Sequence, residues 1–140
     1  MPYAIRINQT GGPDVMRWES VEVSKPGAGQ VRLRQTAIGL NYIDVYHRSG
    51  LYPVELPSGL GLEAAAVVEE IGSGVSDLKP GDRVAYASGP VGAYAEERLM
   101  PADRLIKLPD AISDQQAAAM MLQGMTAQYL LRRTYRVKAG

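Results

Sequence analysis

The sequence predicts a mainly β domain, and three observations carry that reading. Turn formers are dense, with 15 Gly and 9 Pro in 140 residues, most of them before residue 102. Between them lie short segments of strand length. One of these, Val31 to Ala37, alternates apolar and polar side chains, the period-2 pattern of a half-buried strand. Strands at such short intervals suggest a barrel or sandwich rather than a run of βαβ units.

In chain order, strands are expected at Tyr3 to Ile7, Val21 to Val23, Val31 to Ala37, Ala64 to Ile71, Arg83 to Ala87 and Ala93 to Leu99. Asn41 to Gly50 reads as a short helix, with Asn41 as N-cap and Gly50 just past its end. Within it, Asp44 and Arg48 are spaced i, i+4 and suit an ion pair. From Ser113 the chain turns helical: Ser113-Asp114-Gln115-Gln116 fits a capping box, and Ala, Met and Leu follow. Gly124 divides that stretch into two helices. The cationic run Arg132, Arg133, Arg136 and Lys138 suits the negative end of a helix dipole better than a nucleic-acid patch.

Composition removes several function classes. There is no Cys, so disulfides, thiol nucleophiles and thiolate metal sites are excluded. His47 is the single histidine, and any Ser-His-Asp arrangement would need it. The 15 basic residues balance the 15 acidic ones, which disfavours a dedicated nucleic-acid binder. The longest C-terminal apolar run, Ala117 to Leu122, is far short of the ~20 residues that span a bilayer. With no apolar signal core at the N-terminus, a cytoplasmic, non-membrane protein is expected.

Three short motifs match by chance. Gly59-Leu60-Gly61-Leu62-Glu63-Ala64 satisfies a dinucleotide fingerprint, yet a Pro-containing segment precedes it and a strand-like run follows. Ser76 to Lys79 resembles the Ser-x-x-Lys of acyl-serine enzymes but runs into Pro80-Gly81-Asp82, a turn. Asn8-Gln9-Thr10 is a glycosylation sequon in a chain with no secretory signal.

Longer motifs carry more. Ala37 to Asp44, Arg48 to Pro53, Pro57 to Ala65, Val68 to Gly74, Lys79 to Val84, Gly92 to Glu96 and Gly124 to Leu131 occur in one order and spacing. Together they resemble the medium-chain dehydrogenase/reductase superfamily, and within it the zinc-free quinone oxidoreductases related to zeta-crystallin. The resemblance implies a GroES-like, partly open β-barrel with short helices, and a C-terminal helix leading to an absent Rossmann domain. It divides the chain into an incomplete catalytic domain, 1–124, and a helix and linker, 125–140. It further implies an NADPH-dependent hydride transfer to a quinone or other conjugated acceptor, with homodimerisation through the missing cofactor domain. An enone or enoyl reductase of the same superfamily, or a crystallin-like or RNA-binding role, is the alternative.

Zinc-dependent members of the superfamily place Cys where Asn41 stands and His where Leu62 stands. An amide and a leucine cannot supply two of the three ligands a catalytic zinc needs, so no metal is expected. The resemblance sets Asn41, Tyr42, Ile43, Asp44, Val45 and Tyr46 at the nicotinamide end of the cleft, with Thr126 and Tyr129 beside it. It aims Tyr46 and Tyr52 at the substrate and assigns no catalytic residue. From the residues alone, Asn41 and Asp44 are a helix cap and its third-position acid, and His47 faces solvent. Glu63 is structural, and Gly72, Gly74, Gly81 and Asp82 form turns.

Overall fold

The computed structural model describes residues 1–138; Ala139 and Gly140, the end of the expected linker, lie outside the described residues. In chain order the elements are β1 (Tyr3–Ile7), β2 (Arg17–Ser20), β3 (Gln30–Gly39), α1 (Tyr42–Ser49), β4 (Ser58–Gly59) and β5 (Glu63–Ile71). They continue with β6 (Arg83–Ala87), β7 (Glu97–Pro101), β8 (Ile106–Lys107) and α2 (Asp114–Tyr129). The strands form two sheets, β2-β1-β4 and β7-β3-β5-β6-β8, antiparallel throughout. A single bridge between Ala4 and Ala95 joins them, so the barrel is partly open.

Its interior is filled from four strands of the larger sheet. Leu33, Val84, Tyr86 and Met100 are fully buried there with Ala64, Ala66 and Val68. Each large apolar side chain so buried contributes roughly 1.5–3 kcal/mol. On the other face Ala65 and Ala85 meet Ala117 and Ala118 of α2. That is why β5 reads as a continuous apolar run, Ala64 to Val68, without alternation: both faces are covered. β3 keeps its alternation but shifts register between Gln35 and Ala37. The shift leaves Gln35 hydrogen-bonded to Tyr86 at 2.5 Å while Ala37 packs with the α2 cluster.

Helix signals in the sequence hold closely. Ser113 Oγ accepts the Gln116 N–H at 3.2 Å, and Gln116 Oε1 accepts the Ser113 N–H at 2.9 Å. Arg83 then fastens this end of α2 to β6, with Nε and Nη2 donating to Asp114 Oδ1 at 2.9 and 2.6 Å. Gly50 ends α1 in the left-handed region at φ 85, a conformation glycine adopts freely.

Three expectations need correction. Gly124 does not divide the C-terminal helix: α2 runs unbroken through it and continues into a π-helical turn at Leu130–Thr134. The second strand is Arg17–Ser20, not Val21 to Val23, because Pro2 accepts the Val21 N–H at 2.9 Å but has no N–H to return, and the ladder ends at Tyr3↔Ser20. Trp18 in that strand stacks on Tyr3 with ring centres 5.5 Å apart. Of Ala93 to Leu99, only the part from Glu97 is strand; before it, Tyr94 N–H crosses to Leu60 O at 2.8 Å. The short strands β4 and β8 carry too few residues for a periodic signal.

Two glycines should respond oppositely to alanine. A Cβ on Gly124 meets nothing within 4 Å, so Gly124→Ala should stabilise by about 0.5–1 kcal/mol, as in any exposed helix interior. A Cβ on Gly39 would stand 2.2 Å from the Ala118 carbonyl oxygen, and Gly39→Ala should cost ~1–3 kcal/mol. Denaturant melts decide both; a Gly39→Ala chain as stable as the original would contradict the close packing of α2 on β3.

Candidate active site

α1 stands at the end of β3 with two unlike faces. Asp44 and His47, three residues apart, point into the body of the domain and are buried. Tyr42 points outward and is 72% exposed. Its ring contacts Tyr46 edge-on at 5.3 Å, and Tyr46 lies 5.2 Å from Tyr52. Tyr52 N–H donates to Tyr46 O at 3.1 Å, which fixes the loop after the helix against it. Three tyrosines thus form a continuous aromatic face with Tyr52 half-exposed. The expected substrate pair, Tyr46 and Tyr52, is brought together.

Beneath that face is a hydrogen-bonded network. Asn41 N–H donates to Asp44 Oδ2 at 3.0 Å, the reciprocal half of a capping box. Tyr94 OH donates to the same oxygen at 2.7 Å. Asn41 Nδ2 donates to Glu63 Oε2 at 2.7 Å, and Glu63 Oε1 accepts the Leu122 N–H at 2.8 Å. Burial, and then the hydrogen bond to Asp44, pushes the Tyr94 hydroxyl well above the ordinary tyrosine range.

Two local expectations fail. Asp44 and Arg48 do not pair: Asp44 turns inward, while the Arg48 guanidinium donates to the Gly11 carbonyl. His47 does not face solvent; it is 8% exposed, and its Nδ1 is sealed without a partner among the described residues. Its ring lies 6.2 Å from Tyr52.

On α2, Thr126 donates its hydroxyl to Leu122 O at 2.8 Å, and Tyr129 is largely exposed. No hydrogen bond or ring contact among the described residues joins either of them directly to α1. Glu63 makes the connection instead. The sequence reading missed that role, and it missed Tyr94. One signal was available: eight Tyr and no Phe mean that every buried ring brings a hydroxyl in need of a partner.

Recesses flank the network on both sides. An apolar cleft of about 370 Å³ opens beside Tyr94, between Ile5, Trp18, Ile38 and Leu40. A second of about 260 Å³ lies between Leu40, Glu63, Ala118 and Gln123.

The residues do not fit a zinc site. Leu62 carries no donor atom, and the Asn41 amide nitrogen is committed to Glu63. The fingerprint-like glycines do not fit a pyrophosphate either, since Gly61 leads into β5 rather than a helix. Among the described residues no helix is long and apolar enough to cross a membrane.

Residues 27–110 match the model of the alcohol dehydrogenase GroES-like domain. The chain belongs to that family. It is 52% identical over 141 residues to a quinone oxidoreductase of Pseudomonas aeruginosa, matching all of this chain and 43% of that one. A 2-haloacrylate reductase of Burkholderia is 53% identical over 146 residues, with 100% and 44% covered. Among solved structures, a quinone oxidoreductase of Pseudomonas syringae superposes with a TM-score of 0.97 at 53% identity, covering 100% and 43%. The Escherichia coli quinone oxidoreductase in complex with NADPH gives 0.95 at 47% identity, covering 97% and 42%. The chain thus spans less than half the length of these relatives.

The Tyr94 hydroxyl has a consequence for alkaline stability. The folded state holds its proton more tightly than the unfolded chain, so the stabilisation is complete below about pH 10 and falls as pH rises above it. Tyr94→Phe removes that loss. Denaturant unfolding at about pH 8 and about pH 11 should show a smaller drop for Tyr94→Phe than for the original chain. Equal drops in both would place the alkaline sensitivity elsewhere.

Proposed function

We propose that these residues form the substrate-facing part of a zinc-free quinone oxidoreductase. The observation that carries this reading is the aromatic face of Tyr42, Tyr46 and Tyr52, set on a capped helix in a fold whose similar proteins include quinone oxidoreductases. When bound, NADPH supplies a hydride, and a quinone or other conjugated acceptor receives it. Such an acceptor spreads the incoming charge over its own π system, so little polarisation is asked of the protein.

The residues of this chain bind and orient. Tyr46 and Tyr52 offer ring faces to a planar acceptor and hydroxyls that can hydrogen-bond its oxygens. Asn41, Tyr42, Ile43, Asp44 and Val45, with Tyr46, line the nicotinamide end, and Thr126 and Tyr129 approach it from α2. Residues 1–124 act as the catalytic domain and 125–140 as the connection to a cofactor domain, so the boundary falls within a continuous helix. In this reading the whole protein is a cytoplasmic homodimer. A second reading, reduction of an activated alkene, is supported by the Burkholderia reductase at 53% identity. The balanced charge of the chain weighs against an RNA-binding role.

A chimera tests the proposal: these 140 residues joined to the remainder of the Pseudomonas aeruginosa enzyme. It should reduce 1,4-benzoquinone with NADPH, and exhaustive chelation should leave the rate unchanged. The 140 residues alone should show no NADPH oxidation. In the chimera, Tyr52→Ala should lower kcat/KM by about 5- to 150-fold. Asp82 instead braces a turn, accepting the Lys79 N–H at 3.0 Å and pairing with Lys107 at 2.8 Å. Its change to Ala should lower the melting temperature and spare turnover. A chimera that reduces 2-haloacrylate and leaves benzoquinone untouched would favour the second reading, and a chelator-sensitive rate would overturn the zinc-free assignment.

A further inference from the structure

Glu63 is 1% exposed, yet no basic side chain pairs with it among the described residues. Each carboxyl oxygen accepts one hydrogen bond, and the two donors come from opposite walls of the site. Asn41 Nδ2 reaches Oε2 from the cap of α1, and Leu122 N–H reaches Oε1 from the middle of α2. A helix-interior amide ordinarily donates to the carbonyl four residues back, here Ala118 O; Glu63 competes for it. Thr126, one turn on, holds the Leu122 carbonyl at 2.8 Å. Close approach is possible because residue 39 is glycine: a Cβ there would stand 2.6 Å from Glu63 Oε2 and 2.2 Å from Ala118 O.

Hydrogen-bond direction now constrains the chain of groups. Both partners of Glu63 are donors, so its carboxyl accepts at both ends. Asn41 must therefore turn Nδ2 inward, which leaves its Oδ1 toward the first turn of α1, where the Asp44 N–H donates to the Asn41 carbonyl at 3.0 Å. We propose that Glu63 is a positioning residue that fixes the Asn41 amide and locks the cap of α1 to the Leu122–Thr126 turn of α2. The link deepens the functional reading above and rests on it only for its effect on turnover. It makes the two walls one body without contributing an atom to the substrate.

Three variants test the direction of each bond. Glu63→Gln brings one acceptor and one donor where two acceptors are needed, so either the Asn41 cap or the Leu122 amide loses its partner. Asn41→Asp sets two carboxyls against each other across the 2.7 Å contact. The double variant Asn41→Asp/Glu63→Gln restores a donor facing an acceptor, keeps a capping oxygen, and leaves the Gln carbonyl for Leu122.

Amide hydrogen exchange on the 140-residue chain, without ligand, reads the link directly. At Asp44 or Leu122, exchange should quicken by about tenfold or more in each single variant and return to within about threefold in the double. Ala65 and Ala85 in the sheet should follow global stability alone. In the chimera, each single variant should lower kcat by about tenfold or more while KM for benzoquinone stays within about threefold, and the double should recover. Should a single variant fail to fold, recovery of cooperative unfolding in the double is the supporting result. Unchanged exchange at Asp44 and Leu122, or a double no better than the sum of the singles, overturns the proposal. Exchange as described in a chimera that lacks quinone reduction would support the link and count against the functional reading.

Discussion

β5 carries Ala64, Ala66 and Val68 toward the barrel interior and Ala65 toward α2, so neither face of its first four residues meets water. Interiors packed at crystal-like density leave room for only one arrangement of such layers. Here the buried centre of the layer between sheet and helix is made of methyl groups, from Ala65, Ala85, Ala117 and Ala118, with Leu108, Ile112 and Met121 at its margin. That thinness brings α2 near enough for a side chain at the start of β5 to touch its backbone. A larger residue at 65 or 85 would lift the helix and separate Glu63 from Leu122. The polar connections of the site thus depend on an apolar choice made beneath them.

Those connections satisfy two buried carboxyls with donors rather than cations. Burying a charge beside a neutral hydrogen-bond donor is costly unless several donors converge. Asp44 Oδ2 has two, and Glu63 has one at each oxygen. Asp44 Oδ1 and His47 Nδ1 have no partner among the described residues, and both lie on the inner face of α1. An orphaned buried polar atom costs about 1–3 kcal/mol. The helix that displays the tyrosines thus carries two such atoms, and caps at both ends hold it in place.

Much of this could be read in the sequence. β1 and β6, the caps of α1 and α2, and the turn at Lys79 to Asp82 follow from local patterns that neighbours do not override. Val21 to Val23 misled because β-branched residues mark strands only where a partner strand reaches them. Gly124 misled because a glycine in a helix lowers stability without ending it. Arg48 could not be placed from spacing, since its orientation depends on the Gly11 loop, thirty-seven residues away in sequence. Glu63 escaped for the same reason: its partners lie 22 residues before it and 59 after.

The one tryptophan, Trp18, stands half-exposed on β2 and stacks on Tyr3, in the smaller sheet. Indole emission from this chain is consequently a local reporter of the N-terminal hairpin, quenched or shifted by events at that stack. Among the described residues the barrel interior holds only Tyr86 as a fully buried chromophore, and the tyrosine face of α1 adds weak, overlapping absorbance. A fluorescence trace and a backbone dichroism trace therefore watch different parts of the molecule. Coincidence between them would mean that the small sheet and the barrel melt as one cooperative unit.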